Sequence, residues 1–359
     1  MIVNVGLVVS SILFAGVVCE LGMRLYMDTE KVLSLDNDEE VFKYRWLSRR
    51  RDVRVGEEFS QVNPRIMYSP ELGWRPRPNY QSENFTLNSR GVRSTKEYPY
   101  EKPMEEQRIV AIGDSFTFGT GVFTKIGEEP VPDESLYTAR LEDILPAVSV
   151  INLGVDGYGT DQQFLYLQEE GFKYDPDLII MSIFVDDLFR STLYFRDYFK
   201  PKFELIDGKL QLTHVPVPPV EIAEENLQLK LPRSFVWATV RYVYRRIIHS
   251  RQPVGKSAED RLNLAILDAV RDAVQNHGAR LMIVVIPSGS LSRTPDRSET
   301  LISQWGIRRG IPVLMLRDEF FALRPEERAN LYRGHLTAFG HEVLAQGILS
   351  RIQNQKLLN

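Results

Sequence analysis

The residues with the clearest capacity for chemistry are a serine and a histidine far apart in the chain. Ser115 lies in the run IGDSFTFG at 112–119, directly after a short β-rich segment and before glycine-containing turning sequence. A serine so placed presents its hydroxyl at the carboxyl edge of a sheet, where open α/β folds bind ligands. A free hydroxyl is a weak nucleophile and needs a base within hydrogen-bond reach. The chain has five histidines, His214, His249, His277, His335 and His341. His214 falls in an irregular insertion, His249 on a basic helix, and His277 beside Gly278 at a helix end, where it reads as a cap. His335 stands in GHLTAFGH at 334–341, ahead of a helix whose expected cap is Thr337. That places it on a loop able to face the sheet edge. Taken singly, a turn serine and a buried, hydrogen-bonded histidine are the plainer readings of Ser115 and His335. Their combination favours nucleophile and base.

Competing chemistries fit less well. His335 and His341 are six residues apart without the HExxH pattern, and the single cysteine, Cys19, rules out an intramolecular disulfide or a cysteine-rich metal site. Gly154, Gly157 and Gly159 do not have the order of a dinucleotide fingerprint, and the serine run lacks the GK[ST] ending of a phosphate loop. No metal and no cofactor is therefore expected. The triplet Asn84, Phe85, Thr86 matches a glycosylation acceptor, a short and unspecific pattern.

The elements that must position these residues follow from the apolar runs. Segments 108–112, 148–153, 177–184, 281–286 and 311–316 read as strands, and the uninterrupted apolar character of 177–184 suits a parallel strand covered on both faces. Helices are expected at 134–145, 161–171 and 260–277. Strands alternating with helices predict an α/β three-layer sandwich on a mostly parallel sheet. Residues 106–359 are read as the main domain, with an insertion at about 199–255 that carries a turn at Asp207 and Gly208 and the VPVPP run at 215–219. Within it, 233–249 has a helical pattern with Arg241, Arg245 and His249 beside Trp237, Val240, Tyr244 and Ile247. It suits an anionic membrane surface or polymer, or, more plainly, a solvated basic face. Residues 27–105, rich in proline and charge, are expected to be an extended lead-in packing on the core.

With 359 residues, 43% hydrophobic and 26% charged, and a net charge of -4, the chain is globular and has no footprint for nucleic acid. Its amino terminus is less ordinary. VGLVVSSILFAGVVC at 5–19 is uncharged, close to the length of a membrane span, and without a small-residue cleavage site. Residues 1–26 are read as an uncleaved anchor or signal-like helix; the alternative is a buried helix of a soluble protein.

Four blocks in order give a resemblance. GDS at 113–115, NLGVDGYGT at 152–160, FVDDL at 184–188 and GHLTAFGH at 334–341 resemble the blocks of the GDSL-like, or SGNH, hydrolase superfamily. The anchor, together with LGWRP at 72–76 and NSRGVR at 88–93, is similar to a membrane-anchored bacterial subgroup associated with surface polysaccharides. The resemblance implies a flavodoxin-like fold, Ser115 as nucleophile, His335 as base, and the backbone amides of Ser115 and Gly157 as oxyanion donors. Two positions depart from it. Asp186 stands where the family has an asparagine donor, and an ionised carboxylate cannot donate. Tyr332 stands near the position of the triad acid, leaving Asp318, Glu326, Glu327 or a backbone carbonyl to orient the imidazole.

The function implied is a serine esterase or O-acyltransferase acting through an acyl-serine on a small ester, such as an acetyl group on an extracytoplasmic glycan. Its partners would be the bacterial inner membrane and surface-polysaccharide assembly proteins. A non-enzymatic domain for glycan binding or assembly is the main alternative, and a lipid or thioester hydrolase the third.

Overall fold

Five apolar runs form one sheet because each can be buried on both faces. They are β1 (Gln107–Gly113), β2 (Val148–Gly154), β3 (Leu178–Phe184), β4 (Arg280–Ile286) and β5 (Val313–Met315). All neighbours are parallel, in the order β5-β4-β3-β1-β2. This is the doubly wound 2-1-3-4-5 order, whose switch point lies between β1 and β3. The computed structural model describes residues 2–36, 38–50, 63–123, 128–219, 227, 229–289 and 291–358.

The helices, in chain order, are α1 (Ile2–Tyr26), α2 (Thr29–Asp36), α3 (Asp38–Arg50), α4 (Ser115–Phe118), α5 (Tyr137–Ile144) and α6 (Thr160–Glu169). They continue with α7 (Asp187–Arg190), α8 (Phe235–Arg251), α9 (Ala258–Asn276), α10 (Arg297–Arg309), α11 (Leu316–Ala322) and α12 (Ala338–Gln355), with one further helical turn, left unnumbered, at Pro325–Arg328. The α/β/α sandwich is as expected. On one face, Ile109, Ala111, Val150, Ile180 and Val284 pack with Tyr137 and Leu141 of α5, Phe320 of α11, and Leu344 and Ile348 of α12. Burying each such aliphatic side chain stabilises the fold by about 1.5–3 kcal/mol. On the other face, Gly171 follows α6 and lies against Val110 of β1 and Leu153 of β2.

The chain forms two compact units, and their boundaries differ from those expected. One comprises Glu58–Tyr194, Tyr198–Pro219 and Val254–Asn359, and contains the sheet. The other comprises Met1–Glu57, Phe195–Asp197 and Val220–Pro253. The lead-in is thus divided. Its later part forms the hairpin Ile66–Ser69 with Gly73–Pro76 in the sheet unit, where Trp74 is buried. Its earlier part is not extended, because α2 and α3 form there. Both are short and polar, and only Val32, Leu33 and Val41 supply a buried apolar face, in the same unit as α8. Of the insertion, the expected turn closes the hairpin Lys202–Ile206 with Lys209–Thr213 in the sheet unit, while α8 joins the other.

Candidate active site

Ser115 opens α4 directly behind β1. Asp114 caps that helix, its Oδ1 accepting from the Phe116 N–H at 2.9 Å. Caps of this kind contribute about 1 kcal/mol. The short helix sits so tightly on the strand ends that side chains are excluded there. A Cβ on Gly154 would lie 2.1 Å from the Phe118 nitrogen, and one on Gly113 would lie 2.2 Å from Thr117 Oγ1. The carboxyl end of α4 is held from two sides. Asn152 donates to the Thr117 carbonyl at 2.8 Å, and the buried Arg93 donates through Nη1 to the Phe118 and Gly119 carbonyls, each at 2.6 Å.

His335 arrives on a two-strand turn, Tyr332–Arg333 with His335–Leu336, closed by Gly334 at φ 85°. Tyr332 pins this turn, donating its hydroxyl to the Pro287 carbonyl at 2.9 Å while its ring meets Phe320 edge-on. Tyr332 is therefore a structural residue of this turn. Thr337 caps α12 as expected, accepting from the Gly340 N–H at 3.1 Å.

These supports bring His335 Nε2 to 3.0 Å from Ser115 Oγ. His335 Nδ1 lies 3.1 Å from the carbonyl oxygen of Gly121. A carbonyl only accepts, so Nδ1 carries the proton and the Nε2 lone pair faces the serine. Ser115 Oγ has a second acceptor in Asp114 Oδ2, but at 3.4 Å the geometry favours donation to His335. The His335 ring is steadied by Phe116, with ring centroids 5.1 Å apart.

Beneath the serine lies a charged cluster that the sequence reading missed. Arg190 Nη1 donates to Asp114 Oδ2 at 3.0 Å and to Asp187 Oδ1 at 2.8 Å. The other Asp187 oxygen accepts from Gln163 Nε2 at 2.8 Å and from the Phe184 N–H at 3.1 Å. Burial, then the neighbouring Asp114, push the Asp187 carboxyl well above the ordinary carboxylate range. Arg190 is shifted upward by the two carboxylates, against the opposing effect of its own burial. The guanidinium thus keeps the Asp114 charge from acting unopposed on the serine. The only sequence signal was the i, i+3 spacing of Asp187 and Arg190 on one helix face.

The other candidates are distributed as follows. Gly157 is buried, with φ 79°, in the loop after β2. That loop is tied to the hairpin of the lead-in, since Trp74 donates to the Asp156 carbonyl at 3.0 Å and Arg65 pairs with Asp156 at 2.7 Å. Asp186 is exposed at the carboxyl edge of β3, solvated instead of buried in the cluster. Asp318 and Glu326 are exposed, and Glu327 pairs with Arg324 at 2.8 Å on the helical turn Pro325–Arg328. The group found at His335 Nδ1 is instead a peptide carbonyl, the fourth alternative.

His341 is buried, accepts through Nδ1 from the Tyr137 N–H at 3.3 Å and stacks on that ring. Burial above all, then Arg93, Arg140 and His335, push it down to about 3. It is therefore a neutral packing residue. His277 caps α9 and stacks on Phe172 at 3.7 Å, and His214 lies against Tyr194. The side chain of His249 lies outside the described residues. Among the described residues, no group of His, Cys, Asp and Glu is arranged to hold a metal.

Structures similar to the chain include LAE5, an alpha/beta hydrolase enzyme from the metagenome of Lake Arreo, Spain, with 17% identity and a TM-score of 0.42, covering 72% of this chain and 99% of that one. A catalytic mutant of Axe2, an acetylxylan esterase from Geobacillus stearothermophilus, has 14% identity and a TM-score of 0.40, covering 70% and 96%. No curated protein matches the sequence. Residues 111–343, well over half the chain and spanning both Ser115 and His335, match a family of hydrolases, and the chain belongs to the GDSL-like Lipase/Acylhydrolase family.

Proposed function

We propose that this protein is a serine-dependent ester hydrolase or O-acyltransferase, in which Ser115 is the nucleophile and His335 the general base and acid. The 3.0 Å approach of Nε2 to Oγ, with the tautomer set by the Gly121 carbonyl, is the observation that carries this reading. Ser115 Oγ attacks the ester carbonyl carbon while its proton passes to Nε2. The tetrahedral oxyanion is received by the backbone N–H groups of Ser115 and Gly157. Its collapse breaks the bond to the leaving alcohol, which takes the proton from Nε2 and leaves acyl-Ser115. Water or a sugar hydroxyl then gives its proton to Nε2 as its oxygen attacks, and the bond to Oγ breaks with return of that proton from Nε2 to Ser115, so that the acyl group departs as acid or as new ester. Exposed Asp186 borders this edge and is not one of the donors.

Helix α1 supports a membrane-anchored form. Its segment Leu7–Tyr26 has 20 residues and none of it is buried. At 1.5 Å per residue the part of α1 up to Cys19, about 18 residues, reaches about 27 Å, close to the thickness of a hydrocarbon core. The similarity of 72–76 and 88–93 to the polysaccharide-associated subgroup supports an extracytoplasmic domain acting on acetyl esters of glycans.

The test is steady-state and burst kinetics of the full-length protein in detergent with p-nitrophenyl acetate, with and without oligosaccharide acceptors. A burst of p-nitrophenolate stoichiometric with enzyme, reduced at least about a thousandfold in rate by Ser115→Ala, is expected. Acceptors that divert the acetyl group from water would identify a transferase. Equal turnover by parent and Ser115→Ala would refute the assignment of the nucleophile.

A further inference from the structure

Helix α8 has its apolar side outward. Trp237, Val240, Val243, Tyr244, Ile247 and Ile248 are all exposed, Trp237 by 59% and Tyr244 by 65%, while Phe235 and Ala238 face inward. At 100° per residue the six exposed side chains fall within an arc of about 140°. A helix on the surface of a water-soluble domain has the opposite arrangement, and a continuous apolar face of this kind marks an interaction site. The helix also carries Arg241, Arg245, Arg246 and Arg251 and no acidic residue.

What covers this face is indicated by how α8 is held. Glu20 of α1 accepts from the Phe235 and Val236 N–H groups, each at 3.1 Å, and from Ser234 Oγ at 2.9 Å. Arg24, one turn further along α1, donates to the Arg233 carbonyl at 2.7 Å and lies 4.6 Å from the Phe235 ring centre. The amino terminus of α8 is therefore fixed to α1 just beyond the apolar run that ends at Cys19. If α1 spans a bilayer, that is the level at which it leaves the hydrocarbon. Spanning by α8 itself is disfavoured, because its arginines would have to enter the hydrocarbon core. Lying in the interface, the helix buries its apolar face, seats Trp237 and Tyr244 at headgroup depth and keeps its arginines near lipid phosphates.

We infer that α8 is an interfacial helix, docked on the anionic lipid surface of the membrane that α1 enters. The inference rests on the anchor reading of α1, and the two are tested separately in one preparation. Full-length protein is reconstituted into phosphatidylcholine vesicles containing phosphatidylglycerol, and flotation reports anchoring by α1. Spin-labelled lipids with the label near the glycerol end of the acyl chain then report depth, the signal of Trp237 being the difference between parent and Trp237→Phe. Flotation with about twofold or greater quenching of Trp237 is the expected result, consistent with interfacial depth. The Arg241→Glu/Arg246→Glu variant is expected to float equally while losing most of that quenching.

Flotation with Trp237 open to aqueous iodide and untouched by the labelled lipid would overturn the inference and leave the anchor standing. Cross-linking of two copies through position 237, with no lipid quenching, would overturn it in favour of an interface between copies. Failure to float would remove the anchor reading and this inference with it.

Discussion

Replacing His341 by asparagine tests whether the histidine beneath the site is held neutral by its packing. In the folded protein it is pushed down to about 3, chiefly by burial, with Arg93 and Arg140 adding to the effect. In the unfolded chain it titrates near 6.5. A histidine depressed in this way binds fewer protons folded than unfolded, so stability is highest above pH 6.5 and is lost as pH falls from there toward 3. Each pH unit within the window costs up to about 1.4 kcal/mol, giving a loss of about 2 kcal/mol between pH 8 and pH 5. For a unit of this size that corresponds to about 4–8 °C in Tm. Asparagine offers an acceptor to the Tyr137 N–H and does not titrate, so any packing cost lowers its curve uniformly with pH. The assay is thermal unfolding of both full-length proteins in detergent from pH 8 to pH 5, followed by near-ultraviolet circular dichroism. Groups common to both cancel in the difference, which should narrow by about 2 kcal/mol toward pH 5. Parallel curves for parent and His341→Asn would show that His341 protonates freely in the folded state and would refute the reasoning.

Other consequences follow from the same contacts. Arg190→Gln leaves buried Asp114 without its cation and takes a donor from Asp187, and should cost about 3–5 kcal/mol, partly recovered in Asp187→Asn/Arg190→Gln, as read by denaturant titration. No coupling between the two substitutions would contradict the cluster. Gly154→Ala places a methyl against the backbone of α4 and should cost about 1–3 kcal/mol. It should also slow ester turnover; an unchanged Tm and rate would mean that α4 is not wedged there. Thr337→Ala removes the cap of α12 and should lower stability by about 1 kcal/mol, measurable as a fall in the denaturant midpoint.

How much of this was readable without coordinates depended on the kind of residue. The strands were legible because a parallel strand buried on both faces is a continuous apolar run; 281–286 and 148–153 match β4 and β2 within a residue. β5 is shorter than expected because it starts only after Pro312, which has no N–H for the sheet, and ends where Leu316 begins α11. α2 and α3 were not legible. Their few apolar positions are buried in the unit that also holds α8, about 200 residues further along the chain, and local pattern carries no record of such a partner. Ser115 and His335 could be singled out by side-chain type and order. The partner of His335 Nδ1 could not, since a peptide carbonyl is present at every residue and only the turn after α4 brings that of Gly121 into place. Arg190 and Arg93 were hidden because they act on the backbone and charge around the serine, not on a recognisable motif.

Activation of Ser115 by His335 is open to a covalent test. Full-length protein in detergent is treated with a fluorophosphonate and examined by intact mass, beside Ser115→Ala and His335→Ala variants shown to be folded by circular dichroism. A single adduct is expected on the parent, none on Ser115→Ala, and labelling of His335→Ala slowed by at least about a hundredfold, the scale of general-base assistance. A folded parent that forms no adduct, or one that labels equally in Ser115→Ala, would contradict this activation.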